Sequence, residues 1–132
     1  MKSSLVFLLL LTVAACCKKE LNLRSQFAGK WEFENFSGYP FNNNYQAPGN
    51  GNIIVLTEDG QFERRKFDSV SFRGNYTVQK KKDCLPRETD LLFVSTEPNG
   101  SERYIAIENG KLTLSTPNCY QDGGTAYYRR IE

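Results

Sequence analysis

Gly29-Lys30-Trp31-Glu32-Phe33-Glu34 is the stretch whose reading decides the fold. Trp31 and Phe33 fall on one side of an extended chain and Glu32 and Glu34 on the other, the period-two alternation of a strand with one buried face. Trp31 is the only tryptophan, and its indole buries a large apolar area. Gly29, two residues ahead of it, lets the chain approach that indole closely. The closed end of a small antiparallel barrel needs such a pair at the start of its first strand. Glu32 and Glu34 are then expected to face solvent, where nothing tunes them for acid or base work.

Working outward toward the C-terminus, seven more runs read as strands. They are 52–57, 62–67, 74–79, 91–96, 103–108, 111–115 and 126–131, following a first strand at 30–36. Asp59-Gly60, Pro98-Asn99-Gly100 and Asn109-Gly110 supply local turns between neighbours. Many short strands, local turns and almost no helix signal predict an all-β, eight-stranded antiparallel up-and-down β-barrel. Closure removes the exposed edges of an open sheet. A barrel of this size either fills with side chains or holds one small ligand.

Upstream of Gly29, Lys2 precedes the apolar run Leu5-Val6-Phe7-Leu8-Leu9-Leu10-Leu11, which ends in Val13-Ala14-Ala15-Cys16. A charged tip, a short apolar run and a small-residue site make a secretory signal. The run is too short for the ~20 residues of a membrane-spanning helix. Cys16, placed directly after an aliphatic and two small residues, resembles the lipid-accepting cysteine of a bacterial lipobox. That resemblance implies cleavage before Cys16 and acylation there, hence a membrane partner through the N-terminal lipid; anchoring gains about 0.8 kcal/mol per buried methylene. The expected organisation is a signal peptide at 1–15, a lipidated tether at 16–26 and one domain at 27–132. Within the tether, Leu23 and Phe27 suit one helical turn. Lys18-Lys19-Glu20 lacks the acidic run of surface-export signals, so the expected place is the outer membrane, facing the periplasm.

Seventeen Lys and Arg against fifteen Asp and Glu give a net charge of +2, and the leader carries only Lys2 away. So small a balance predicts no nucleic-acid partner. Two of the four cysteines, Cys84 and Cys119, lie in polar segments of a secreted chain, where an oxidised pair is the default. The bridge would add about 4 kcal/mol in the chain-entropy model. Strict strand alternation, however, puts Cys84 at the base of the barrel and Cys119 at its mouth. Strands of this length span about 17–20 Å, and a bridge needs α-carbons within about 7 Å. One of these assumptions must give: either the bridge does not form, or the segment 80–90, long enough at about 3.3 Å per residue, climbs the wall or extends its strand.

Candidate functional residues cluster at the end away from Trp31. The 37–51 connection exceeds the ~12–15 residues at which a loop becomes unusual, and it carries Tyr39, Phe41 and Tyr45. It is expected to serve either as a lid or binding edge or as a flap whose aromatics plug the barrel. Phe33, Tyr76 and Val78 are the inward-facing candidates beneath it. Two basic clusters, Arg64-Arg65-Lys66 and Lys80-Lys81-Lys82, read as solvated surface, with an anion-attracting face as the alternative. Near the C-terminus, placing Tyr127 and Ile131 inward would bring Arg129 over Trp31, with Arg130 the other choice; stacking contributes about 0.5–2 kcal/mol. The chain has no histidine, hence no imidazole base and no His-containing zinc site. No enzyme activity, metal or cofactor is expected.

The Gly29-x-Trp31 opening, the eight-strand meander and a basic residue near the chain end resemble the lipocalin superfamily. The small lipocalin-like lipoproteins of Bacteroidetes are similar more closely, through Gly74-Asn75-Tyr76-Thr77-Val78, Asn109-Gly110-Lys111-Leu112-Thr113-Leu114, Cys119, Asp122-Gly123 and Tyr128-Arg129. The chain departs from the longer lipocalins in lacking a helix between its last strands and a Thr-Asp-Tyr motif. The resemblance implies a monomeric, non-enzymatic barrel that binds a small apolar molecule or lipid fragment. The other function class is an interaction or inhibitor module that meets an envelope protein through its loops.

Overall fold

Strand β1 (Gly29–Gly38) begins at the predicted glycine and pairs along both edges. The structure, a computed structural model, describes residues 23–38, 44–80, 91–98, 102–117 and 123–132. Seven strands follow: β2 (Asn52–Leu56), β3 (Gln61–Lys66), β4 (Ser69–Lys80), β5 (Leu91–Ser95), β6 (Arg103–Glu108), β7 (Lys111–Ser115) and β8 (Gly124–Arg130). Each pairs antiparallel with the next, and β8 returns to β1, so the sheet closes as an eight-stranded up-and-down barrel. Cys16, Tyr39, Phe41, Lys81, Lys82, Cys84 and Cys119 lie outside the described residues.

The inward alternation builds one core. Trp31, Ile54, Leu56, Phe62, Tyr76, Val78, Phe93, Ile105, Leu112, Leu114 and Tyr128 are buried in a single cluster. The base is sealed from below by a helical turn at residues 23–25 that leads Phe27 into the core. The Phe27 carbonyl accepts a hydrogen bond from the Trp31 indole at 2.9 Å, satisfying the one polar atom of a fully buried ring. Gly29 is required here for two reasons. Its φ is +145°, and a Cβ would stand 2.8 Å from the Glu132 carbonyl.

Two features depart from the sequence reading. Strand β4 starts five residues earlier than predicted, at Ser69, because β3 and β4 are joined by a tight turn at Phe67-Asp68. Phe67 takes the left-handed conformation there, with φ 53°, and its N–H donates to the Gly51 carbonyl at 2.7 Å. Strand β1 also carries a bulge between Phe33 and Asn35 on its β8 edge. Its other edge pairs with β2 only from Gly29 to Glu32; beyond that, Gln46 and Asn44 donate to the Glu34 and Phe36 carbonyls at 2.6 and 3.3 Å. Residues 44–46 thus continue the sheet where β2 stops.

Candidate functional site

Inward positions above the core floor are occupied by a mixed set of side chains. A cleft of about 350 Å³ opens there, lined by Phe33, Asn52, Ile53, Ile54, Arg64, Arg65, Lys66, Ser71 and Tyr128. Its apolar floor comes from β1, β2 and β8: Phe33 meets Tyr128 edge to face with centroids 5.6 Å apart, directly across the β1/β8 ladder. Its basic wall comes from the last three residues of β3. Among the described residues no carboxylate lines it.

Arg64 is the cation of this basic wall that turns toward the interior. Phe62 is buried in the core two residues earlier, and strand alternation carries Arg64 to the same side. Its guanidinium stands 5.4 Å from the centroid of the Phe62 ring. Nε donates to Glu97, just past β5, at 2.5 Å. Burial opposes the Arg64 charge, but Glu97 and the neighbouring Tyr128 more than offset it, so its pKa lies above the ordinary value. Burial also pushes the Tyr128 phenol up, with Arg64 pulling the other way. At neutral pH the site therefore holds a fixed cation beside a protonated hydroxyl. The Arg64 and Glu97 side chains keep 40% and 24% of their exposure, so solvent reaches the pair.

Lys66 closes the rim. Its ammonium donates to the Asn50 carbonyl at 3.1 Å and to the Asn52 side chain at 2.8 Å, and it stands 5.2 Å from the Phe67 ring centroid. Arg65 turns outward to Glu63 at 2.6 Å, and Arg73 reaches the same carboxylate at 2.7 Å. Those two arginines hold Glu63 below the usual carboxylate range, and burial opposes them.

Of the predicted ligand-facing residues that are described, only Phe33 lines this cleft. Tyr76 and Val78 belong to the packed base, where Tyr76 stacks on Phe93 at 5.5 Å and donates to the Thr57 carbonyl at 2.7 Å. Tyr45 is 61% exposed and stands on the outer wall, 5.9 Å from the Arg129 guanidinium. The described half of the 37–51 connection neither covers nor plugs the mouth. Instead it folds against the outside of β1, and that corrects the expectation that Glu32 faces solvent. Glu32 is 4% exposed and accepts from the backbone N–H groups of Gly49 and Gly51 at 3.0 and 3.1 Å. Glu34 is likewise covered, paired with Lys111 at 2.6 Å.

The choice of Arg129 over Trp31 is also corrected. Trp31 pairs with Arg130 across the ladder, so Arg130 shares its face and sits 4.6 Å from the indole centroid. Parity follows Tyr128, which is buried in the core, whereas Ile131 is exposed. Arg129 points outward, 3.5 Å from Glu32 and 2.5 Å from the Gln46 carbonyl. Arg64 to Lys66 pair with Ser69 to Phe72 near the mouth, and Lys80, the one described residue of the second basic cluster, pairs with Leu91 at the other end.

Asn52, Ile53, Ile54, Ser71 and Tyr128 are lining residues that the sequence reading did not place in a site, and Arg64, Arg65 and Lys66 entered it only as a basic cluster, with an anion-attracting face as the alternative. Period two from Phe62 was the signal for Arg64, masked because three consecutive cations read as one solvated cluster. Among the described residues, no group of three or more His, Cys, Asp or Glu could hold a metal ion. Compared with protein families, curated proteins and solved structures, the chain matches none.

Proposed function

We infer that this chain is a lipid-anchored, lipocalin-like protein of the bacterial cell envelope that binds one small, largely apolar molecule in the mouth of its barrel. The observation that carries the reading is the 350 Å³ cleft, apolar on its floor and polar on its rim, in a barrel whose other end is filled. Its size falls at the lower end of ligand pockets, which run from about 300 to 1,000 Å³. A non-catalytic role is supported by the lack of any histidine and by carboxylates engaged in structural pairs. The anchor is supported by Val13-Ala14-Ala15-Cys16, and Cys16→Ala should release the protein from the membrane fraction. An oxidised Cys84–Cys119 pair belongs to the same reading, supported by the secretory leader; two free thiols in the unreduced protein would exclude it.

The test of binding is extraction of the protein purified from its own membrane, followed by mass spectrometry. A stoichiometric small molecule supports the reading, and an empty barrel contradicts it. One observation favours the second reading, an interaction module: Tyr45 is exposed on a segment pinned rigidly to the wall through Glu32 and Arg129. Cross-linking from position 45 to an envelope protein would shift the weight there.

A further inference from the structure

The cleft's chemistry specifies more than an apolar guest, provided that the mouth is the binding site proposed above. Among the described residues three cations and no carboxylate line it, and the inward one, Arg64, already holds a carboxylate, that of Glu97. The contact uses Nε–H alone, whereas a guanidinium carries five donors. Both partners remain partly exposed, and ion pairs of that kind contribute only about 0–1 kcal/mol. Exchanging Glu97 for another carboxylate therefore costs little. Tyr128, protonated and adjacent to Arg64, offers a hydroxyl donor to the incoming group. Phe33, Ile54 and the Tyr128 ring offer apolar contact beneath it.

Volume sets the size of the guest. At ~30 Å³ per heavy atom, a water's share of the liquid, the cleft holds about a dozen such atoms. The base below is packed with Trp31, Leu56, Phe62 and Tyr76, so a long acyl chain has nowhere to run. We propose that the mouth cleft takes a compact monocarboxylate, an aromatic or short-chain acid, whose carboxylate replaces that of Glu97 on Arg64 while its apolar body rests on Phe33, Ile54 and Tyr128.

Phenylacetate and its neutral isostere phenylacetamide separate this claim from the one beneath it. Each is titrated calorimetrically into the full-length protein in neutral lipid nanodiscs. Phenylacetate should bind about tenfold or more tightly than the amide, the difference expected of hydrogen bonds to charged groups. Arg64→Gln should bring the acid down to the level of the amide, and Arg64→Lys should restore only part of the preference. Glu97→Gln should tighten the acid severalfold by removing its internal competitor, a result that stands even if the Arg64 variants fold poorly. Equal affinity for acid and amide in the wild-type protein overturns the carboxylate assignment and leaves the binding site standing. Binding of neither probe overturns the site itself.

Discussion

At the scale of single residues, Trp31 closes the base and Arg130 covers it from the facing strand. Trp31→Ala should cost about 3–5 kcal/mol, the range for truncating a large buried aromatic, read as a loss in chemical denaturation. The two arginines next to one another in β8 should separate cleanly. Arg130→Ala should shift the Trp31 emission and cost about 0.5–2 kcal/mol. Arg129→Ala should leave the emission in place yet cost more, about 3 kcal/mol, because it leaves the buried Glu32 carboxylate without its cation. Equal emission changes in both variants would contradict the ladder register. Tyr76 makes a further case, its phenol pushed up to about 12 by burial. In the unfolded chain it ionises near 10, so above that pH the folded state holds the extra proton and stability falls as pH rises. Tyr76→Phe should lose about 1 kcal/mol at neutral pH and show a shallower alkaline decline in denaturation melts.

At the scale of elements, β1 is legible in the sequence and its surroundings are only partly so. Alternation at Trp31 and Phe33 marks the strand, and Gly29 marks its start. Strands β6 and β7 are equally plain, bounded by Asn109-Gly110 in a left-handed turn. The first half of β4 alternates polar Ser69, Ser71 and Arg73 with apolar Val70 and Phe72, yet it was hidden because the turn before it uses Phe67 in place of glycine. Nor does alternation reveal which outward carboxylate a later segment will cover, since the cover arrives through backbone N–H groups that every residue type carries. Glu32 is that case. Glu32→Gln should loosen residues 44–51 at a cost of about 1 kcal/mol, and amide exchange at Gly49 and Gly51 should quicken while Ile54 and Leu56 stay protected. Unchanged exchange at both glycines would mean that the carboxylate does not hold the segment.

At the scale of the molecule, the barrel is polarised: among the described residues, one end is filled and sealed and the other carries the basic cleft. The closed barrel itself was legible, since period two and turn chemistry in eight successive segments leave few other ways to bury the apolar faces. The cleft was not, because its key residue stands in a run of cations whose inward member only the pleat distinguishes. On the outer wall, Glu63 ties β3 to β4 through Arg65 and Arg73 and carries a pKa below the ordinary 4.5. Its contribution is present above that value and is lost as pH falls through the lowered folded value. The melting temperatures of the wild type and Glu63→Gln should therefore differ at neutral pH and converge in acid.

The most direct test of this polarity is a map of backbone and indole amide shifts as phenylacetate is titrated into nitrogen-labelled protein. Binding in the basic cleft predicts movement at Phe33, Ile54, Arg64 and Tyr128, with Phe27, Leu56 and the Trp31 indole unmoved. Movement at Trp31 with Arg64 silent would contradict it.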